Sequence, residues 1–391
     1  MEEIVSLDQQ SLIEMKITVV VLLCAIGCSL AALERPRPPR PRPPPPPTRP
    51  PKDEDTLVLV HTVFRHGDRT PNDGAYDSNP YSNESFYWPY GFGQLTNEGK
   101  RREYRIGETL RTRYNDFLGD VWNINILEAR STNVNRTKMS LQLMLAGLWP
   151  PTGDQIWQPW LDWQPIPYNY LSTDKELLST FSCSNFSTLY EETLNSAEIQ
   201  ELLSVYDDVF EYVSNNTGED FSTPSDIFSL YFESVAQLEY GYPLEPWLLK
   251  VFPETLEKIT KDHYYIATNT TDLKKIAGGF LLKKIINDSK AKIDGLLTPQ
   301  DRKMFIYSAH EINIATTLLT LGVYEDKIPA YGSHVLLELH QIRGVYGFKV
   351  FYHDWTTSEP YQLTIPGCSA FCPYDQFVEL LAEVIPTGEE C

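Results

Sequence analysis

The feature of this sequence that most constrains its fold is an apolar strand that runs directly into a cluster of basic residues. Residues 56–60, TLVLV, are apolar and β-branched, which is typical of a buried strand. The chain continues as HTVFRHGDRTP, so Arg65, His66 and Arg69 stand within five positions at the end of that strand. Fixed positive charge at the end of an interior strand indicates an anionic partner.

The charge of the whole chain limits that partner to something small. The 391 residues carry 53 Asp and Glu against 33 Lys and Arg, a formal net charge of −20, and 42% are hydrophobic. Nucleic acids bind broad basic surfaces, so this composition argues against a nucleic-acid partner. We expect a small anionic ligand in a pocket of a protein with a sizeable core.

The first 54 residues have the composition of targeting and linker segments. Lys16 precedes an apolar run at 17–33 that has the length of a signal-peptide core, with small residues suited to cleavage after Ala31. We predict an upstream extension at 1–14, a signal peptide at 15–33 and a proline-rich linker at 34–54. An uncleaved signal anchor is the alternative for 15–33. The C-terminal sequence predicts no membrane anchor, and the expected location is secreted, with lysosomal or signal-anchored membrane placement as alternatives.

Cysteines and glycosylation sequons agree with export. Cys24 and Cys28 fall in the predicted signal, which leaves Cys183, Cys368, Cys372 and Cys391. An even number of cysteines in an exported chain favours disulfides, in any of three connectivities, over a metal site. The sequons predicted to carry glycans begin at Asn83, Asn185, Asn215, Asn269 and Asn287, whereas the sequon at Asn135 falls in a predicted helix.

The remaining chain predicts an α/β domain interrupted by helices. Predicted strands at 56–64, 123–129 and 304–308 each lead into a helix, and strands at 334–342 and 346–352 form a hairpin. Thr96 is expected to cap a helix from Asn97 to about Tyr114, and Ser131 or Thr132 a helix that ends at Leu148. We predict an α/β domain at 55–159 and 271–391 with a helical insert at 160–270.

Each of the three strand-to-helix junctions carries a basic residue. The first has the Arg65 cluster, the second Arg130 and the third His310. Ligands of open α/β sheets bind beyond the carboxyl ends of the strands, where helix N-termini favour anions. If the strands are neighbours, these cations converge on one phosphate-like group, and this hypothesis requires Arg130 to face His66 and His310. His61 and His340 lie within strand patterns and are interpreted as structural.

These segments resemble a known enzyme family. Residues 65–71, RHGDRTP, fit the R-H-G-x-R-x-P signature of the histidine acid phosphatases. Other segments follow in the order of the animal prostatic, lysosomal and venom enzymes: GFGQLTNEG at 91–99, RSTNVNRT at 130–137, WQPIP at 163–167, YSAHE at 307–311 and EPYQLTIPGCSAFCP at 359–373. The resemblance implies a three-layer α/β sandwich of the phosphoglycerate mutase type with a smaller inserted helical domain.

The resemblance also implies roles for individual residues. His66 would be the nucleophile that forms a phosphohistidine, and Glu311 the proton donor. The phosphate would be bound by four further side chains, Arg65, Arg69, Arg130 and His310, with neither metal nor cofactor. The implied disulfides are Cys183–Cys391 and Cys368–Cys372, and a homodimer is expected by analogy.

One departure from the family keeps an alternative open. Glu311 stands where the family's commonest motif has Asp, which moves the carboxyl group one methylene outward. The predicted function is a metal-independent acid phosphatase that hydrolyses small phosphate monoesters. The alternatives are a secreted phosphate-binding or interaction protein with weak or no turnover, and a phytase or mutase of the same superfamily.

Overall fold

The computed structural model describes residues 55–170, 178, 183–388 and 390–391. The predicted extension, signal peptide and linker therefore lie outside the described residues. Residues 55–157 and 162–391 belong to one compact unit, and residues 158–161 are assigned outside it. The predicted division between an α/β domain and an insert at 160–270 stays a prediction.

Seven strands of the described residues form one mixed sheet. They are β1 Asp55–Arg65, β2 Leu127–Ser131, β3 Met304–Ala309, β4 His334–Ile342, β5 Val345–His353, β6 Tyr361–Leu363 and β7 Cys372–Pro373. Their order is β2-β3-β1-β4-β5-β6, with β7 paired to β5. β2 and β1 both run parallel to β3, so the carboxyl ends of all three meet at one edge of the sheet, as the basic junctions predict.

Helices cover both faces of this sheet. They are α1 Asn97–Leu118, α2 Asn135–Leu148, α3 Ser184–Leu194, α4 Ala197–Leu203, α5 Asp207–Thr217, α6 Pro224–Tyr240, α7 Glu254–Ile266, α8 Thr271–Lys274, α9 Phe280–Ile293, α10 Glu311–Thr320 and α11 Tyr374–Leu381. A π-helical turn, Lys275–Gly279, joins α8 to α9.

Alternation along the strands builds two cores, one on each face of the sheet. Leu59 of β1 packs with side chains of α9, α10 and α11, whereas the next residue, Val60, packs with α1 and α2. The resulting helix–sheet–helix layers confirm the predicted three-layer sandwich. The helices α3 to α7 have a further apolar cluster that includes Phe186, Phe210 and Ile259.

The local signals for most of these elements are confirmed. Thr96 caps α1 by accepting a hydrogen bond from the backbone N–H of Gly99. The β4–β5 hairpin turns at Arg343 and Gly344, whose φ angles are +51° and +83°, as a two-residue turn of this kind requires. His61 is fully buried and stacks on Phe305 at 4.7 Å between ring centroids, which fits its structural interpretation.

The predicted boundaries around the second junction are wrong. β2 begins at Leu127 and continues through Ser131, rather than ending at residue 129. α2 begins at Asn135 after Val134, which has no capping side chain, so neither Ser131 nor Thr132 is the cap. This shift of about three residues changes which arginine reaches the sheet edge.

Both disulfides implied by the resemblance are confirmed. Cys183 is bonded to Cys391 and Cys368 to Cys372, each pair with 5.3 Å between Cα atoms. The first joins the start of α3 to the last residue of the chain over a separation of 208 positions. In the described part of the chain, no helix combines the length and the apolarity needed to cross a bilayer.

Candidate active site

His66 lies at the end of β1 with one ring nitrogen fixed and the other facing a group of cations. Its Nδ1–H donates to the carbonyl oxygen of Gly67 at 2.9 Å, so Nε2 carries the lone pair, which accepts a hydrogen bond from Nε of Arg136 at 3.0 Å. Burial, and then the charges of Arg136 and Arg65, hold the pKa of His66 well below its ordinary value. The imidazole is therefore neutral and nucleophilic at Nε2.

The loop behind His66 is held by a contact between two backbones. A Cβ added to Gly67 would lie 2.6 Å from the carbonyl oxygen of Gly99, in the first turn of α1, and a Cβ added to Gly99 would collide with the backbone of Asp68. The N–H of Gly67 donates to Oγ of Ser140 at 3.2 Å. Only a residue without a side chain fits at this contact between Gly67 and α1.

Arg65 is buried between two aromatic rings and has two N–H groups that make no hydrogen bond in the described chain. Its guanidinium carbon lies 3.8 Å from the ring centroid of Tyr331 and 5.0 Å from that of Phe232. Nη1 donates to the carbonyl of Pro329 at 2.6 Å, and Nε lies 3.5 Å from Glu311 Oε2. Within the described chain, Nε and Nη2 of Arg65 make no hydrogen bond. Buried N–H groups of this kind are costly unless an acceptor binds there.

Arg69 is held by a carboxylate from the helical part of the chain. Its Nη2 donates to Glu233 Oε1 at 3.0 Å, and its Nη1 to the carbonyl of Thr70 at 3.0 Å. Burial alone would lower the pKa of Arg69, but the adjacent Glu233 raises it above its ordinary value. Arg69 therefore stays charged at any pH at which the protein is folded.

Arg136 occupies the position that we expected for Arg130. Besides its bond to His66, its Nη2 lies 3.5 Å from Nδ1 of His310 and its Nη1 donates to Oδ1 of Asn72 at 3.1 Å. Burial, and then the charge of Arg69, lowers the pKa of Arg136 to about 10, which leaves it charged near neutral pH. It is the cation in contact with both imidazoles.

Arg130 does not join this cluster, contrary to the prediction. It lies inside β2, in register with Tyr307 of β3. By alternation its side chain shares a face with Glu128, which is paired with Arg302. Burial raises the pKa of Tyr307, and the charge of Arg130 opposes that rise. The hypothesis is therefore wrong as it was stated for Arg130, and the arginine that contacts both imidazoles is Arg136, six residues later.

A signal for Arg136 was present in the sequence. The segment RSTNVNRT contains two arginines, and a helix N-terminus at a strand end favours the second. A helix start at Ser131 or Thr132 would have moved Arg136 a turn away from that N-terminus. The actual start at Asn135 places Arg136 in the first turn of α2.

His310 and Glu311 stand at the start of α10, beside His66. Because Nδ1 of His310 faces Arg136, which only donates, its Nε2–H donates to Oγ1 of Thr132 at 3.0 Å. Burial and Arg136 lower the pKa of His310 to about 3. Glu311 Oε2 lies 4.0 Å from Nε2 of His66. Burial alone would raise the pKa of Glu311, but Arg65 and His310 hold it below its ordinary value.

The same groups are poorly suited to a metal ion. Ligand atoms of His66, His310 and Glu311 lie within 4.8 Å of one another. However, Arg136 donates to both imidazoles and Arg65 faces the carboxylate, so a cation would meet repulsion. A tetrahedral oxyanion with several acceptor oxygens satisfies these donors and charges instead. The arrangement can bind a phosphoryl group between a nucleophilic nitrogen and a carboxyl group.

Comparisons with known proteins agree with this chemistry. A family model described as histidine phosphatase superfamily (branch 2) matches residues 56–353. A venom acid phosphatase of Apis mellifera is 37% identical over 338 residues, which cover 85% of this chain and 87% of the relative. The prostatic acid phosphatase of Homo sapiens is 37% identical over 341 residues, which cover 84% of this chain and 86% of the relative.

Solved structures show the same fold at much lower identity. The apo form of a Hafnia alvei phytase is similar with a TM-score of 0.63 at 16% identity, covering 86% of this chain and 98% of the phytase. A phytase of Citrobacter braakii is similar with a TM-score of 0.61 at 14% identity, covering 85% and 98% of the two chains. These similarities concern the fold alone.

Proposed function

Because this chain belongs to the histidine phosphatase superfamily, we propose that it is an acid phosphatase that hydrolyses phosphate monoesters through a phosphohistidine on His66. The observation that carries the proposal is the neutral Nε2 of His66, which lies 3.0 Å from Arg136 Nε and 4.0 Å from Glu311 Oε2. A nucleophile, a cation and a carboxyl group thus lie within reach of one phosphoryl group.

In the first step, Nε2 of His66 attacks phosphorus in line with the ester oxygen. The N–P bond forms as the P–O bond to the leaving group breaks, and Glu311 gives its proton to that oxygen. The guanidinium groups of Arg65, Arg69 and Arg136 bind the non-bridging oxygens and stabilise the charge of the transition state. Arg136 moves its Nε–H from His66 to the phosphoryl group, which frees the lone pair.

In the second step, water hydrolyses the phosphohistidine. Glu311, now a carboxylate, accepts a proton from the water as the water oxygen attacks phosphorus and the P–N bond breaks. The products are inorganic phosphate and neutral His66, and Glu311 is protonated again. The reaction needs no redox group and consumes only the ester and water.

The pKa shifts support activity in acid. An ordinary histidine is protonated and non-nucleophilic at pH 5, but the pKa of His66 is lowered by burial and by Arg136, so its lone pair persists to a lower pH than that of an ordinary histidine. A bound phosphoryl group would offset the charge of Arg65 and raise the pKa of Glu311, which must be protonated to act as the acid. Moderately acidic pH therefore favours the protonated carboxyl group, while the lowered pKa of His66 favours its neutral form.

The deciding experiment combines turnover with trapping of the intermediate. Wild type and His66→Ala are assayed for phosphate release from p-nitrophenyl phosphate between pH 3.5 and 7.5, and acid-labile phosphate is sought on His66 after rapid quenching. We expect turnover with an acidic optimum and label only in the wild type. Binding of vanadate without turnover would favour the phosphate-binding alternative, and label on another residue would overturn the assignment of His66.

We also propose that the protein is secreted. The two disulfides support this placement, as do the five expected glycosylation sites, whose asparagines are all exposed: Asn83, Asn185, Asn215, Asn269 and Asn287. Expression in animal cells followed by glycosidase treatment of the medium tests this. Protein that stays inside the cell without glycan would contradict the proposal.

A further inference from the structure

Two residues outside the sequence motifs connect the helical part of the chain to the arginines of the site. Glu233 of α6 is 4% exposed and accepts hydrogen bonds from the loop that follows His66. Its Oε1 accepts from Arg69 Nη2 at 3.0 Å and from Asn72 Nδ2 at 2.8 Å, and its Oε2 accepts from the backbone N–H of Asn72 at 2.5 Å. One carboxylate thus binds an arginine side chain together with the backbone N–H and the side-chain amide of Asn72.

The orientation of the Asn72 amide follows from its two neighbours. Glu233 can only accept, so the NH2 group of Asn72 faces it, and a guanidinium can only donate, so Oδ1 of Asn72 faces Arg136. The Nη1–Oδ1 distance is 3.1 Å. A continuous path of hydrogen bonds therefore runs from Glu233 through Asn72 to Arg136.

We propose that Glu233 and Asn72 are positioning residues that set the orientation of Arg69 and Arg136 for the phosphoryl group. The inference rests on the proposed phosphatase function and deepens it, because it assigns part of the phosphate site to α6. Asn72 directly follows the RHGDRTP segment in the loop between β1 and α1, whereas Glu233 lies in α6, which belongs to the predicted helical insert.

The charges explain why such a connection is needed. Arg69 and Arg136 repel each other, since Arg69 contributes to the lowered pKa of Arg136. Without an anchor their flexible side chains would turn apart, and orientation would have to be regained on binding. Glu233 offsets one of the three guanidinium charges, which leaves a net attraction for a phosphoryl anion in a fixed geometry.

The test compares three variants of the full chain. Glu233→Gln keeps the shape of Glu233 but places NH2 against a donor, and Asn72→Ala removes the exposed amide that bonds Arg136. Tyr76→Phe is the matched control, because Tyr76 donates to Glu245 at 2.7 Å and so joins the same loop to the segment after α6 without contacting an arginine. For each we measure kcat/KM with p-nitrophenyl phosphate, inhibition by inorganic phosphate, and the thermal midpoint.

We expect kcat/KM to fall roughly tenfold to a hundredfold in Glu233→Gln and about threefold to tenfold in Asn72→Ala. The inhibition constant for phosphate should rise in both variants. In Tyr76→Phe both quantities should stay within about twofold of wild type, even if its thermal midpoint falls. The double variant Glu233→Gln/Asn72→Ala should lose less than the product of the single losses, because both residues act through Arg136.

The results separate the two levels of the proposal. If wild type releases no phosphate from any monoester, the proposed function fails. If wild type is active and Asn72→Ala has wild-type kcat/KM and phosphate inhibition, the positioning inference alone is overturned. Equal losses in Tyr76→Phe and Asn72→Ala would also overturn it, since the effect would then belong to the loop in general. Should Glu233→Gln fold poorly, Asn72→Ala decides, because Asn72 is exposed.

Discussion

Replacing Arg136 with alanine should remove most of the catalytic activity. Its Nε lies 3.0 Å from the nucleophilic nitrogen, so in the complex its charge stands about 4 Å from the phosphoryl charge. At an effective dielectric constant of about 20, one unit pair at that distance is worth about 4 kcal/mol. A loss of that size corresponds to about a thousandfold in kcat/KM.

Two further variants isolate the cause. Arg136→Lys keeps the charge but loses the planar fork, and should cost roughly tenfold to a hundredfold. Arg130→Ala removes the neighbouring arginine of the same segment, which lies on the sheet beside Tyr307, and should change kcat/KM by less than about threefold. The assay is initial-rate hydrolysis of p-nitrophenyl phosphate near pH 5, with thermal melting of each variant as a check on folding.

The opposite ranking would refute the reasoning. A thousandfold loss in Arg130→Ala, together with near wild-type activity in Arg136→Ala, would mean that Arg130 and not Arg136 binds the phosphoryl group. The lone pair of His66 would then need another partner than the one described at 3.0 Å.

Three other substitutions test the acid, a buried carboxyl group and the longer disulfide. Glu311→Gln should lower kcat roughly a hundredfold or more with an alkyl phosphate, but much less with p-nitrophenyl phosphate, whose leaving group needs little protonation. Burial raises the pKa of Glu103 well above its ordinary value of 4.5. The contribution of the protonated carboxyl group to the free energy of unfolding is therefore complete below about pH 4.5 and is lost as pH rises. For this reason Glu103→Gln should raise the melting temperature more at pH 8 than at pH 4. Replacing Cys183 and Cys391 by serine should lower the free energy of unfolding by about 5 kcal/mol in urea titrations, given the 208-residue separation.

Each of these predictions has its own contrary result and control. Equal losses of Glu311→Gln on both substrates would argue against a proton donor. Glu98→Gln is the control, because Glu98 is an exposed residue of α1 paired with Arg101: it should not raise the melting temperature at pH 8. A pH-independent Glu103→Gln shift would contradict the linkage. The Cys368–Cys372 bridge spans only four positions, so its removal should cost less, about 2 kcal/mol.

The sequence predicted the residues that directly follow β1 and β3 better than it predicted the residues that other elements bring to the site. β1 and β3 were visible as apolar runs that end in chemically distinctive residues, and their parallel pairing brings His66 and His310 to one edge. Local patterns were sufficient here, because the residues that react directly follow the strands that position them.

The sequence could not predict the residues whose role depends on exact boundaries or on distant packing. Whether Arg130 or Arg136 faces His66 is decided by a shift of three residues between the end of β2 and the start of α2, and α2 begins without a capping side chain. Glu233 is 164 positions from Arg69, and no periodicity in α6 distinguishes its carboxylate from those of its neighbours. Such contacts follow from tertiary packing, which local propensity does not encode.

The approach of Gly67 to Gly99 joins the first turn of α1 rigidly to the nucleophile. Backbone atoms cannot adjust by rotating about a side-chain bond, so any displacement of that turn moves the peptide next to His66. Glycine at position 99 also makes the helix less stable than alanine would, by about 1 kcal/mol. Substitutions should therefore be tolerated on the solvent-facing side of α1 but not at Gly99 in its first turn. A methyl group added there would push the backbone of Asp68 and so displace His66.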